Sequence, residues 1–134
     1  MKIDQSLLQT VIDHALRDAP DECCGVLSVR DGVVDRVIPL ESVKRSPFSF
    51  EIDPKVLLAT YMEIEDAGAE LGVIYHSHTR SPPVPSQTDI NFGERWPGVE
   101  WLIVGTKGQT TVQSWLISER GEVTEVPIEI AGAG

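Results

Sequence analysis

The chain has 134 residues, 41% of them hydrophobic, with 21 acidic against 11 basic side chains and a formal net charge of −10. That length suits a single domain, residues 1–134, able to bury a core without staples, and the charge would repel a phosphate backbone, which argues against a nucleic-acid surface. The apolar runs are only strand-length, so no membrane span is expected, and the only cysteines, the adjacent Cys23 and Cys24, are poorly placed to bridge each other, which points to a reducing, cytoplasmic setting.

Met1-Lys2-Ile3-Asp4 leads straight into a helical pattern, with no apolar core of a signal peptide. Leu7, Leu8, Val11, Ile12, Ala15 and Leu16 recur at helical spacing and predict an amphipathic helix over 4–18, capped by Asp4 and stopped by Pro20. His14 falls on the polar side of that helix and is expected in solvent. Pro20-Asp21-Glu22-Cys23-Cys24-Gly25 then leads into a Val- and Leu-rich run, and Asp31-Gly32 signals a hairpin with residues 33–39 returning. Residues 41–47 read as a loop, and the alternation in Phe48-Ser49-Phe50-Glu51-Ile52 predicts a half-buried strand. Asp53-Pro54 opens a second helix with an apolar stripe of Val56, Leu57, Thr60, Tyr61, Ile64 and Ala67, ended by Gly68.

Leu71-Gly72-Val73-Ile74-Tyr75 has the composition of a buried strand. A short helix from Ser86 to about residue 94 is broken by Trp96-Pro97-Gly98. Strands are expected at 101–104, 110–117 and 123–130, followed by a frayed tail at 132–134. The order of elements predicts an α/β fold: one layered domain with a mixed β-sheet flanked by helices.

The stretch that carries chemistry follows the central strand. Side chains alternate along a strand, so His76 and His78 point the same way and can converge on one metal ion. Residues 79–86 include Pro82, Pro83 and Pro85, cannot continue a central strand, and return the chain so that Ser86 and Asp89 approach the histidines. Two imidazoles and one carboxylate leave a fourth tetrahedral position for water, the arrangement of catalytic rather than structural zinc. On residues alone a His-x-His pair is a weak signal, and Ser86-Gln87-Thr88-Asp89 also scans as a helix capping box that needs no metal.

The full pattern is more demanding: His-x-His, seven residues, Ser, two residues, Asp. It resembles the signature of the JAMM (MPN-type) zinc isopeptidases, which cut bonds at the C-termini of ubiquitin-like proteins. A second anchor is the family's Pro-x-Glu-x-Cys-Gly-like segment, matched by Pro20, Glu22, Cys24 and Gly25. The resemblance runs essentially end to end and implies a cytidine-deaminase-like layered architecture. It further implies zinc on His76, His78 and Asp89, Glu22 as general base and Ser86 as donor to the oxyanion.

The tract Tyr75-His76-Ser77-His78-Thr79 looks most like the small prokaryotic members of the CysO-cysteine peptidase type. Those release an amino acid, cysteine, from the C-terminal glycine of a sulfur-carrier protein. The substrate implied is therefore a small ubiquitin-like or sulfur-carrier protein ending in Gly-Gly, and a homodimer is left open. Two features depart from the family. Many relatives carry proline where this chain has Thr79, and 134 residues leave no room for the insertions with which deubiquitinases grip ubiquitin itself. Two other classes compete. A non-catalytic scaffold would not need the intact ligand set, and a zinc deaminase would need His-x-Glu with Pro-Cys-x-x-Cys, neither of which occurs.

Overall fold

The computed structural model describes residues 1–132. The first helix, α1 (Gln5–Asp18), is preceded by a two-residue strand, β1 (Lys2–Ile3). The hairpin β2 (Cys24–Arg30) and β3 (Val33–Leu40) follows, then α2 (Pro54–Asp66), the central strand β4 (Glu70–His78) and the short α3 (Gln87–Gly93). The chain ends with β5 (Glu100–Gly105), β6 (Thr111–Ile117), β7 (Val123–Val126) and β8 (Glu129–Ile130).

Local chemistry sets the boundaries. Asp4 accepts the Ser6 amide at 2.8 Å and Asp53 the Lys55 amide at 2.8 Å, so both long helices start on a carboxylate cap. Asp31 and Gly32 both have positive φ, as the two-residue turn between β2 and β3 requires. The strands form one sheet in the order β7-β6-β5-β4-β2-β3-β1-β8. β4 pairs parallel with β5 and β1 parallel with both β3 and β8, while the other pairs are antiparallel, so the sheet is mixed.

The two outermost strands are nearly consecutive in sequence. Three virtual bonds separate Val126 from Glu129, a reach of at most about 11 Å. The sheet must therefore curl until its edges approach each other. Helices cover both faces. Leu8, Val11 and Ala15 of α1 pack with Leu27, Val73, Tyr75 and Leu102 on one face. On the other, Leu57 and Ile64 of α2 pack with Val26, Ile74 and Trp101. Alternation along β4 assigns the faces: Val73 and Tyr75 to the first, Ile74 and His76 to the second.

Three expectations are corrected. The run over 123–130 is two strands, because Pro127 between them lacks an amide proton and the chain crosses there from one sheet edge to the other. Residues 48–52 are not a strand. Phe50 and Ile52 are buried as the alternation implies, but the segment bonds to its own loop, with the Glu51 carbonyl accepting from the Val43 amide at 2.8 Å. His14 is not in solvent: it is 5% exposed while Leu16 is 49% exposed, so the buried stripe of α1 is rotated towards the histidine. The cause is on the sheet face that α1 covers, where the Tyr75 hydroxyl lies 2.7 Å from His14 Nδ1 and so finds its partner inside the core. Of the expected tail, only Gly132 lies within the described residues.

Candidate metal centre

His76 and His78 close β4, and the ladder holds their backbone on both sides: His76 is paired with Cys24 of β2 and with Ile103 of β5. The His76 ring is fully buried and fixed by aromatic contact. Phe50 stacks on it at 4.4 Å between centroids, and Trp101 meets it edge-on at 5.9 Å. Phe92 of α3 braces Trp101 in turn at 5.2 Å. The His78 ring is set differently, by a bond of 2.8 Å between Nδ1 and the Pro82 carbonyl in the proline-rich loop. A carbonyl only accepts, so Nδ1 carries a proton, and whenever the ring is neutral Nε2 is the bare nitrogen.

Those two Nε2 atoms and Oδ2 of Asp89 form a triangle with all three sides 3.1 Å. Ligands about 2.0–2.1 Å from a tetrahedral zinc would stand roughly 3.3 Å apart, so the triangle has the right size. The donor chemistry points the same way. A bare imidazole nitrogen, a carboxylate oxygen and a second imidazole nitrogen converge with little exposure, and one shared proton cannot satisfy all three contacts. A cation between them does. The residues present fit a metal ion.

Asp89 sits on the first turn of α3, and its Oδ2 also accepts the Ser86 amide at 2.9 Å while Ser86 Oγ accepts the Asp89 amide at 3.2 Å. The capping box is thus fully formed, and the same carboxylate oxygen faces the histidine pair. The two readings of this segment are not alternatives. Ser86 itself is exposed, and its Oγ already accepts one bond, which leaves its proton free to donate.

Glu22 enters from the turn between α1 and β2. It is 7% exposed, and a carboxylate oxygen and the two imidazole nitrogens all lie within 4.8 Å of one another. Asp89, rather than Glu22, makes the tight 3.1 Å contacts to both nitrogens. Burial pushes the Glu22 carboxyl up to about 7, with His78 pulling it down and Asp89 adding to the rise. Burial acts against ionisation of Asp89 too, but the two histidines and the Ser86 amide outweigh it and hold that carboxyl well below the usual range. Burial lowers His76, against the opposing pull of Asp89. On His78 burial acts in the same direction, but Asp89, the Pro82 carbonyl and Glu22 together prevail and raise it.

All five residues singled out in the sequence are therefore placed: His76, His78 and Asp89 in contact, Glu22 beside them, Ser86 at the head of α3. Sequence reasoning missed the aromatic brace of Phe50, Phe92 and Trp101 and the Pro82 carbonyl, because nothing in local spacing marks a contact made across the sheet.

Residues 4–118 match the family described as prokaryotic homologs of the JAB domain. The chain is 38% identical over 128 residues to a desampylase of Pyrococcus furiosus, covering 96% of this chain and 89% of that protein. It is 35% identical over 132 residues to a CysO-cysteine peptidase of Mycobacterium tuberculosis, again covering 96% and 89%. A solved structure described as "JAMM: a metalloprotease-like zinc site in the proteasome and signalosome" superposes with a TM-score of 0.59 at 25% identity, covering 98% of this chain and 97% of its own. With the triangle of two imidazole nitrogens and a carboxylate oxygen in place and a match over most of its length, the chain belongs to the prokaryotic JAB-domain family, of JAMM (MPN-type) fold.

Proposed function

We propose that the chain is a zinc-dependent peptidase or isopeptidase that hydrolyses the bond after the C-terminal Gly-Gly of a small ubiquitin-like or sulfur-carrier protein. The observation that carries this reading is the triangle of His76 Nε2, His78 Nε2 and Asp89 Oδ2 with Glu22 close by but outside it. When bound there, zinc supplies an acidified water and Lewis-acid polarisation of the scissile carbonyl. Glu22 takes a proton at its carboxylate and returns it to the leaving amine. Ser86 aims its free proton at the developing oxyanion, a contact typically worth about 3 kcal/mol of barrier.

The names of the two relatives support a carrier-protein substrate, and the second supports cysteine as one leaving group. A complete donor set with a buried carboxylate beside it favours catalysis over a scaffold. The reducing, cytoplasmic setting belongs to the same reading: both thiols are free and buried, and burial pushes each up to about 12, which keeps them protonated.

The test is to offer zinc-loaded protein a panel of carrier proteins whose Gly-Gly bears a cysteine, a lysine-linked peptide or a linear extension, and to weigh the products. A new mass ending at Gly-Gly is expected for at least one, and none after chelation. A zinc-loaded protein that cleaves none of the panel would favour the scaffold.

A further inference from the structure

Glu22 lies outside the sheet ladder, which begins at Cys24, on a turn whose regular bonding is depleted by Pro20. Something else must fix it. The residues between and after the two histidines do so. His76 and His78 face the metal centre, and the alternate residues Ser77 and Thr79 face the Glu22 segment. Ser77 Oγ accepts the Cys23 amide at 2.8 Å, and the Ser77 amide donates to the Cys23 carbonyl at 3.2 Å. Thr79 Oγ1 stands 2.8 Å from the Pro20 carbonyl and 3.0 Å from the Pro47 carbonyl. Both carbonyls only accept, so the single hydroxyl proton is shared between them. The Glu22 amide in turn donates to the Ser46 carbonyl at 2.9 Å. Glu22 is thus tied on both sides, by Ser77 just after it and by Thr79 two residues before it. The loop over 41–53 is drawn into the same knot through Ser46 and Pro47.

We propose that Thr79 is a positioning residue for Glu22: its hydroxyl joins the turn at Pro20 and the loop at Pro47 to the end of the metal-site strand, and so holds the carboxylate over the histidine pair. The inference rests on Glu22 acting as the base. The consequence is specific to the chemistry, because a displacement of about 1 Å in a reacting group can cost up to 10²-fold in rate.

Thr79→Val removes the hydroxyl at nearly constant shape, and Thr79→Ser keeps it. In the zinc-loaded protein Thr79→Val should lower kcat about tenfold with KM and zinc content unchanged, and Thr79→Ser should stay within about twofold of wild type. In a Glu22→Gln background Thr79→Val should change the residual kcat by less than about twofold, since the hydroxyl acts through Glu22. A readout independent of turnover is amide hydrogen exchange at Glu22 in the zinc-free protein, where protection should fall in Thr79→Val and persist in Thr79→Ser. The proposal is overturned if Thr79→Val keeps wild-type kcat, loses zinc, or lowers kcat equally in the Glu22→Gln background. Unchanged Glu22 exchange in Thr79→Val overturns it as well. If wild type cleaves no carrier at all, the peptidase reading fails by itself, and the exchange result still decides whether the hydroxyl holds the turn.

Discussion

Asp89 joins a helix cap to the histidine pair through a single oxygen. Its Oδ2 accepts the Ser86 amide and also meets both imidazoles, so Asp89→Asn should weaken the start of α3 and the metal site at once. Ser86 separates the two roles more cleanly. Ser86→Asp should cap about as well and unfold near wild type, yet abolish turnover, because it replaces a donor by a charge of the wrong sign. Wild-type activity in that variant would dismiss the oxyanion role. Glu22→Gln should retain zinc while turnover falls by ~10²–10⁴-fold, as loss of a general base typically costs. Loss of zinc in that variant would make Glu22 a ligand instead. The buried carboxyl also predicts a pH dependence of stability in the metal-free protein. Folded Glu22 holds its proton up to about 7 against an ordinary value of 4.5, so between those values the folded state binds more protons than the unfolded and stability falls as pH rises. The melting temperature of metal-free wild type, taken relative to Glu22→Gln, should therefore decline across that window. A constant difference would contradict the burial argument.

At the level of elements, the site is an outcome of how β2, β4 and α1 fit together. The Tyr75 ring lies over Gly25 so closely that a Cβ there would sit 2.3 Å from Cε2, and the hydroxyl beyond it reaches His14. Gly25→Ala must push a buried, hydrogen-bonded ring aside, and urea unfolding should show a loss of about 1–3 kcal/mol. A loss near zero would mean that the ring yields freely. The same contacts explain what could be read beforehand. The helices, the hairpin and β4 to β6 were legible because each is long enough for its period to repeat and is bounded by its own turn residues, as at Asp53-Pro54 and Asp31-Gly32. Residues 48–52 misled because alternation reports burial on two sides, and Phe50 is buried against His76 rather than within a ladder. His14 misled because its partner, Tyr75, is 61 positions away.

For the molecule as a whole, the sheet order was not legible. β1 and β8 have two residues each, too few to show any period, and only their long-range pairing reveals that the edges of the sheet come together. The meeting of His76, His78 and Asp89 was legible, by contrast, because they lie within 14 residues of one another and need only one strand, one loop and one helical turn to come together. Glu22 was legible only through family resemblance, since it is brought in by the pairing of β2 with β4. The measurement that bears most directly on this account is turnover of a Gly-Gly-extended carrier protein against zinc content, as chelator strips the metal and zinc is then restored. Turnover should rise in proportion to zinc up to about one ion per chain, with no uptake by His76→Ala. Full turnover by protein stripped of zinc would contradict it.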